Sequence, residues 1–273
     1  MGTSIPFFQV DAFASKPFEG NQACVMPLDA YLPDKTLQVI AAENNVAETA
    51  FIVPDGEGRW QLRWFTPTVE VPLCGHATLG SAHVVFEHLG YDGEQVTFVT
   101  RQSGELFVSR ADTGLIMDFP VSPLKQVEVT PEMEAALGTR PLAAWSGNFL
   151  ACLFADTEAI LNLSPDYAAL AKIDGSAPGW DLGNVGCVAA GGPSGADVIS
   201  RFFAPGSGIG EDPATGAWHC MVAPLMSAQL DKDKLNCFQA YPGRGAWIGT
   251  EVQGERVKLS GTSVTVIEGQ FYV

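Results

Sequence analysis

Positive charge is what this sequence has least of. Its 273 residues carry 15 Lys and Arg against 31 Asp and Glu, a formal net charge of −16. Such a field repels phosphate backbones and anionic lipid surfaces, which argues against nucleic acid or a membrane as partner and otherwise serves solubility. Charged residues make up only 17% and hydrophobic residues 47%, the composition of a packed globular protein rather than a disordered chain. No apolar run approaches the length of a membrane span, and the start, MGTSIPFFQVDAF, lacks a basic segment followed by a hydrophobic core. Met1-Gly2 is not a myristoylation signal, because Pro6 stands where Ser or Thr is needed. These absences predict a cytoplasmic protein.

Cysteine and histidine are sparse too. Cys24, Cys74, Cys152, Cys187, Cys220 and Cys237 lie scattered, without metal-ligand spacing or the density of a secreted disulfide scaffold, and most read as small buried hydrophobes. His76, His83, His88 and His219 lack zinc-ligand spacing, so neither metal nor cofactor is expected; His83 and His88 read as a packed or exposed helix pair. No G-x-S-x-G elbow points to a serine hydrolase. Gly206-Ser207-Gly208-Ile209-Gly210 resembles a phosphate loop only in glycine content: Glu211 and Asp212 follow it, no lysine does, and the dinucleotide spacing fails.

What the chain does have is a diverged repeat. RWFTPTVEVPLCGHAT at Arg63–Thr78 matches RFFAPGSGIGEDPATGAWH at Arg201–His219, with Arg63, Phe65 and Pro67 aligned to Arg201, Phe203 and Pro205 at an offset of 138 residues and Gly75 aligned to Gly216 at 141. A second pair, Gly20-Asn21-Gln22-Ala23-Cys24-Val25 and Gly147-Asn148-Phe149-Leu150-Ala151-Cys152-Leu153, occurs in the same order. A repeat this long is not a solenoid unit; it reads as two copies of one domain facing each other, with the site expected in the cleft between them. The division predicted is an N-terminal lobe at 1–122, with a C-terminal strand at 266–273 as its candidate completion, and a second lobe at 123–265.

Apolar spacing predicts helices over Leu32–Asn44 with Asp34 as candidate cap, Ala77–Gly90, Pro131–Leu137, Tyr167–Lys172 and Thr215–Leu230, among strand-like segments. The expected fold class is α+β, two pseudo-symmetric lobes each wrapping a mainly antiparallel sheet around one central helix.

Three places carry candidate chemistry. Glu48 stands among Val46, Ala50 and Phe51 at a helix-to-strand junction, where lost hydration favours the neutral acid and suits proton transfer at carbon; it could equally be a solvated strand-edge carboxylate. In Cys74-Gly75-His76 a helix beginning near Gly75 would offer its first N–H groups to a carboxylate or oxyanion, next to a thiol that would feel the same field and an imidazole able to donate or accept. In Asp212-Pro213-Ala214-Thr215-Gly216 the aspartate could cap the second central helix or hold a substrate amine or hydroxyl.

Together with FFQVDAFASKPFEGN at Phe7–Asn21 and NNVAETAF at Asn44–Phe51, these motifs resemble the PhzF family of phenazine-biosynthesis isomerase-like proteins, which share the diaminopimelate epimerase fold. The resemblance covers almost the whole chain. It implies a cofactor-free enzyme acting on a small molecule, with a homodimer as its plausible assembly. It also implies that Glu48 carries a proton between carbons, that His76 and Asp212 hold and polarise the substrate, and that Gly20, Asn21 and backbone around Gly75 lie nearby. Cys74, Thr215 and Gly216 complete the expected substrate-binding set. Gln22 stands where the family commonly has Pro, and Trp218-His219 replaces smaller residues; a bulky Trp218 beside the helix is expected to reshape the pocket.

Overall fold

In a computed structural model that describes residues 4–174 and 182–273, the chain divides into two units, one of Met1–Asp118 with Ser260–Val273 and one of Phe119–Leu259. Met1-Gly2 falls outside the described residues. The first unit runs β1 (Ser4–Ala12), β2 (Asn21–Pro27), α1 (Asp34–Asn44), β3 (Glu48–Pro54), β4 (Arg59–Phe65), β5 (Glu70–Val71), α2 (Gly75–Glu87), β6 (Gln95–Thr100), β7 (Glu105–Arg110) and β8 (Leu115–Pro120). The second runs β9 (Lys125–Val127), α3 (Pro131–Leu137), β10 (Ala143–Ser146), β11 (Leu150–Leu153), α4 (Thr157–Leu161), α5 (Tyr167–Leu170), β12 (Val185–Ala190), β13 (Val198–Phe203), β14 (Glu211–Asp212), α6 (Gly216–Leu230), β15 (Lys234–Gln239), β16 (Ala246–Gln253) and β17 (Arg256–Gly261). The last strand, β18 (Ser263–Tyr272), returns to the first unit and pairs antiparallel with β1.

Strand pairing repeats from unit to unit. In the first, β1–β2, β3–β4, β4–β5 and β6–β7 are antiparallel while β2–β3 and β4–β6 are parallel. In the second, β10–β11, β12–β13, β13–β14 and β15–β16 are antiparallel while β11–β12 and β13–β15 are parallel. The fold is the expected α+β one, a mainly antiparallel sheet wrapped around a central helix in each half.

Those helices, α2 and α6, are apolar on nearly every side, which is the signature of a helix enclosed by its own domain. Thr78 and Ser81 do not break this rule, because their hydroxyls donate to the carbonyls of Cys74 and Ala77 within α2. Helix α6 contains Pro224, which lacks the N–H that would bond the Cys220 carbonyl; the Ser122 amide donates to that carbonyl instead, at 3.3 Å.

Two expectations need correction. Asp34 does not cap α1: Pro33 holds the cap position, and Asp34, in the first turn, pairs with the Arg63 guanidinium at 2.9 Å. Trp218 points into the apolar core of its own unit, fully buried against Phe202, and the ring lies where a Cβ on Gly186 would be 2.3 Å away. Its bulk is absorbed by a glycine in β12, not by a binding pocket.

The repeated R-x-F motif has a common physical job. Arg63 grips both carboxylate oxygens of Glu70 at 2.7 Å and lies over the Phe65 ring, and Arg201 grips both oxygens of Glu211 at 2.8 Å and lies over the Phe203 ring. A buried guanidinium needs such a bidentate partner. Each clamp ties β4 to β5, or β13 to β14, just ahead of the central helix. No helix among the described residues is long and apolar enough to cross a membrane.

Candidate active site

In the first unit four predicted side chains meet. Gly20 ends the loop after β1 in a left-handed conformation (φ 61°), with the Ala12 carbonyl so close that a Cβ would lie 2.0 Å from its oxygen. That turn starts β2 at Asn21, which is buried and has its amide nitrogen 3.2 Å from His76 Nδ1. Cys74 holds the N-cap position of α2 in extended conformation without making a side-chain capping bond, and Gly75 and His76 open the helix. Cys74 Sγ is 3.5 Å from His76 Nδ1.

Glu48, the first residue of β3, is brought across by the parallel pairing of β2 with β3, where it lies opposite Ala23. Its Oε2 is 3.0 Å from His76 Nε2. The contact is electrostatic, since Oε2 is buried without an aligned hydrogen-bond donor. Glu48 keeps 17% of its side-chain surface in contact with solvent while His76 keeps 6%, so the carboxylate is the accessible end of the pair.

Burial opposes a positive charge on His76, but the Cys74 sulfur and the Glu48 carboxylate overcome it and hold the imidazole well above its usual range. Cys74 contributes to this only as a thiolate, and burial followed by the Glu48 charge pushes its thiol up to about 11, the nearby His76 lowering it only in part. Glu48 is the other group that favours the protonated imidazole. The helix-start field invoked for a low thiol pKa at Cys74 loses to burial.

In the second unit the corresponding segment holds Asp212 in β14 and Thr215 at the N-cap of α6, with Gly216 the first helical residue. Asp212 is not the cap. Its carboxylate accepts a short hydrogen bond from the Thr215 hydroxyl. Gln239, at the end of β15 and wholly buried, fixes this turn: its amide nitrogen donates to the Asp212 carbonyl at 2.6 Å and to Thr215 Oγ1 at 3.1 Å, while its oxygen accepts from the Thr215 amide at 2.9 Å. Sequence reading missed Gln239. The available signal was a glutamine at the end of an alternating strand whose Leu235 and Cys237 point inward with it.

The two units are chemically unequal. Val185 pairs with Phe203 as Thr49 pairs with Phe65, so the residue before each is Asn184 in one unit and Glu48 in the other. At the repeat offset of the helix starts, Ala217 replaces His76 and Thr215 replaces Cys74. Among the described residues only the first unit carries the carboxylate–imidazole–thiol group. Although spacing along the chain suggested no metal ligands, Glu48, Cys74 and His76 place one ligand atom each within 4.8 Å of one another.

A family profile described as phenazine biosynthesis-like protein matches residues 10–269. The chain belongs to this family. Within the phenazine biosynthesis-like family it is 43% identical to an uncharacterized isomerase of Pseudomonas aeruginosa, over 97% of this chain and 98% of that one. It is 36% identical to the phenazine biosynthesis-like domain-containing protein of Homo sapiens, again over 97% and 98%. The crystal structure of a PhzF family protein from Enterococcus faecalis superimposes with a TM-score of 0.92 at 38% identity, covering 99% of this chain and 100% of that one. A hydroxyproline epimerase from Agrobacterium vitis, 13% identical with a TM-score of 0.56, shares the fold alone. Relatives named isomerases support isomerase activity in general for the family.

Proposed function

We propose that this protein is a cofactor-independent isomerase that moves a proton at carbon, and with it a double bond or tautomeric form, in a small carboxylate- or amine-bearing metabolite. The observation that carries the reading is the Glu48–His76 pair, a carboxylate oxygen 3.0 Å from an imidazole nitrogen with the carboxylate the more accessible of the two. Glu48 takes the proton from one carbon and returns it to another. His76 steadies the charge that Glu48 carries while the proton is on the substrate. The first turn of α2, where the Cys74 side chain makes no capping bond, offers backbone N–H groups to a substrate carboxylate or the oxyanion of an enol. Asp212, held by Thr215, is suited to accept from a substrate amine or hydroxyl.

An epimerase that uses Cys74 as its base is less well supported. The buried thiol is pushed up to about 11, and the position equivalent to it in the second unit is Thr215, so the opposed thiol of a two-cysteine mechanism has no counterpart there. A non-catalytic binding protein on the same scaffold is the further alternative. Proton NMR of small amino- and carboxylate-bearing metabolites in deuterated water distinguishes them. Carbon-bound protons exchange with wild type and not with Glu48→Gln on the proposed reading. Ligand retention by both proteins with no exchange supports the binding protein, and exchange undiminished in Glu48→Gln removes Glu48 from the mechanism.

A further inference from the structure

The Glu48, Cys74 and His76 side chains present a carboxylate oxygen, a sulfur and an imidazole nitrogen from rigid positions: the first residue of a strand, the N-cap of a buried helix and the second residue of that helix. Cys74 and His76 are buried, and Glu48 retains the group's path to solvent. His76 Nε2 is 3.0 Å from Glu48 Oε2 and 4.0 Å from Cys74 Sγ. Neighbouring ligands in a tetrahedral zinc site, at the usual Zn–N, Zn–O and Zn–S lengths, are roughly 3.3–3.8 Å apart, so both separations from Nε2 lie close to that range, and all three ligand atoms lie within 4.8 Å of one another. They form the one such trio among the described residues.

Three further features fit a metal. The buried Oε2 of Glu48 has no aligned donor, so a cation would fill an unmet demand. The imidazole nitrogen facing away from Glu48, Nδ1, lies 3.2 Å from the Asn21 side-chain amide nitrogen, a contact that fixes the orientation of the ring. The ligand set, one soft, one borderline and one hard, selects zinc-type ions over magnesium or calcium, which take oxygen ligands. Three protein ligands leave a fourth position for water or a ligand carboxylate, toward the solvent side of Glu48.

We propose that Glu48, Cys74 and His76 form a binding site for a thiophilic divalent cation of the zinc class, and that its occupation shuts off proton transfer by engaging Glu48 and His76. On coordination the Cys74 thiol and the protonated His76 imidazole each give a proton to solvent, the sulfur binding as thiolate and Nε2 through its freed lone pair; nothing is oxidised or reduced. The inhibitory half of the proposal rests on the acid/base reading above. The binding half stands without it.

Cobalt(II) reports the site directly, because a thiolate ligand gives a charge-transfer absorption in the near ultraviolet and four-coordinate cobalt gives intense visible bands. Untagged, reduced protein titrated with cobalt chloride is expected to develop both with one equivalent and to lose them when one equivalent of zinc is added. The charge-transfer band should vanish in Cys74→Ser and in Cys74→Ala, and binding should weaken tenfold or more in His76→Gln and Glu48→Gln, circular dichroism confirming that each variant is folded. A wild-type protein with no charge-transfer band, or a band that survives in both folded Cys74 variants, overturns the proposal. With an exchanging substrate in hand, one equivalent of zinc should stop wild-type exchange and a chelator restore it; undiminished exchange in zinc-loaded protein overturns the inhibitory half. Cobalt binding without carbon-proton exchange on any substrate leaves the metal site standing and counts against the isomerase reading, whereas exchange without the cobalt band does the reverse.

Discussion

His76 Nε2 lies 3.0 Å from Glu48 Oε2, joining the first turn of a buried helix to the first residue of a strand. Both ends are held by the fold, Glu48 by the β2–β3 pairing and His76 by α2, so the pair is preorganised rather than assembled on binding. If it works as one proton-handling unit, replacing either member removes most of what the pair contributes. His76→Gln is expected to slow carbon-proton exchange by about a hundredfold or more, within the range for positioned acid/base groups. The double variant Glu48→Gln/His76→Gln should be little slower than Glu48→Gln alone, because groups that act as a unit are not additive. Independent, multiplying effects in the double variant would mean that the two residues serve separate steps.

The two arginine clamps differ in what surrounds them. Arg201 and Glu211 leave 8% and 6% of their side chains exposed, and among the described residues Glu211 is the one carboxylate in an ion pair with Arg201. Arg63 holds Glu70, which is 24% exposed, and also Asp34, which is 65% exposed. Removing one partner from a buried pair costs about 3–5 kcal/mol, and far less where a second carboxylate and water remain. Urea unfolding should therefore show Glu211→Ala destabilised by more than Glu70→Ala. Equal losses would show that the buried clamp has no special weight.

The duplication, the fold class and the central helices were legible because each depends on pattern: spaced apolar residues, matching glycines and a conserved motif order within one chain. The clustering of Glu48, Cys74 and His76 was not visible as a metal-type trio, since the strand pairing that carries Glu48 across is a long-range event that spacing does not encode. Gln239 escaped for a related reason. Its role depends on the parallel pairing of β13 with β15, which brings the end of one strand beside the turn that starts α6. Local propensity made Asp34 the candidate cap of α1 and left Asp212 open between capping α6 and holding a substrate, whereas Arg63 and Thr215 engage their carboxylates.

Gly186 and Trp218 should behave as a matched pair. A methyl group at Gly186 would sit 2.3 Å from the indole ring, and overpacking of this kind costs about 1–3 kcal/mol. Gly186→Ala is expected to lower stability by that amount. Adding Trp218→Leu, which itself loses packing, should make Gly186→Ala nearly harmless in the same background. A double-mutant cycle by urea unfolding checks this, and additive losses would place the strain elsewhere.

His219 sets an acid limit on stability. It is wholly buried, its Nδ1–H donates to the Thr215 carbonyl at 2.9 Å, and its Nε2 has no hydrogen-bond partner among the described residues. Burial, offset only in part by the bond to Thr215, lowers its pKa to about 4. In the native protein the ring therefore stays neutral at pH values where the same ring in an unfolded chain, with a pKa near 6.5, has taken up a proton. Folding stability is then fully present above about pH 6.5, falls as pH drops toward 4, and stops falling on this account once the native ring also protonates, a total on the order of 3 kcal/mol for His219 alone. His83, lowered to about 4 by burial and then by the neighbouring His88, adds a contribution in the same window. His219→Gln keeps a donor for the Thr215 carbonyl and removes the titration, so its stability should decline less steeply than wild type between about pH 6.5 and 4. Urea unfolding of both proteins across that range decides the matter: parallel curves would mean that His219 does not resist protonation in the folded state.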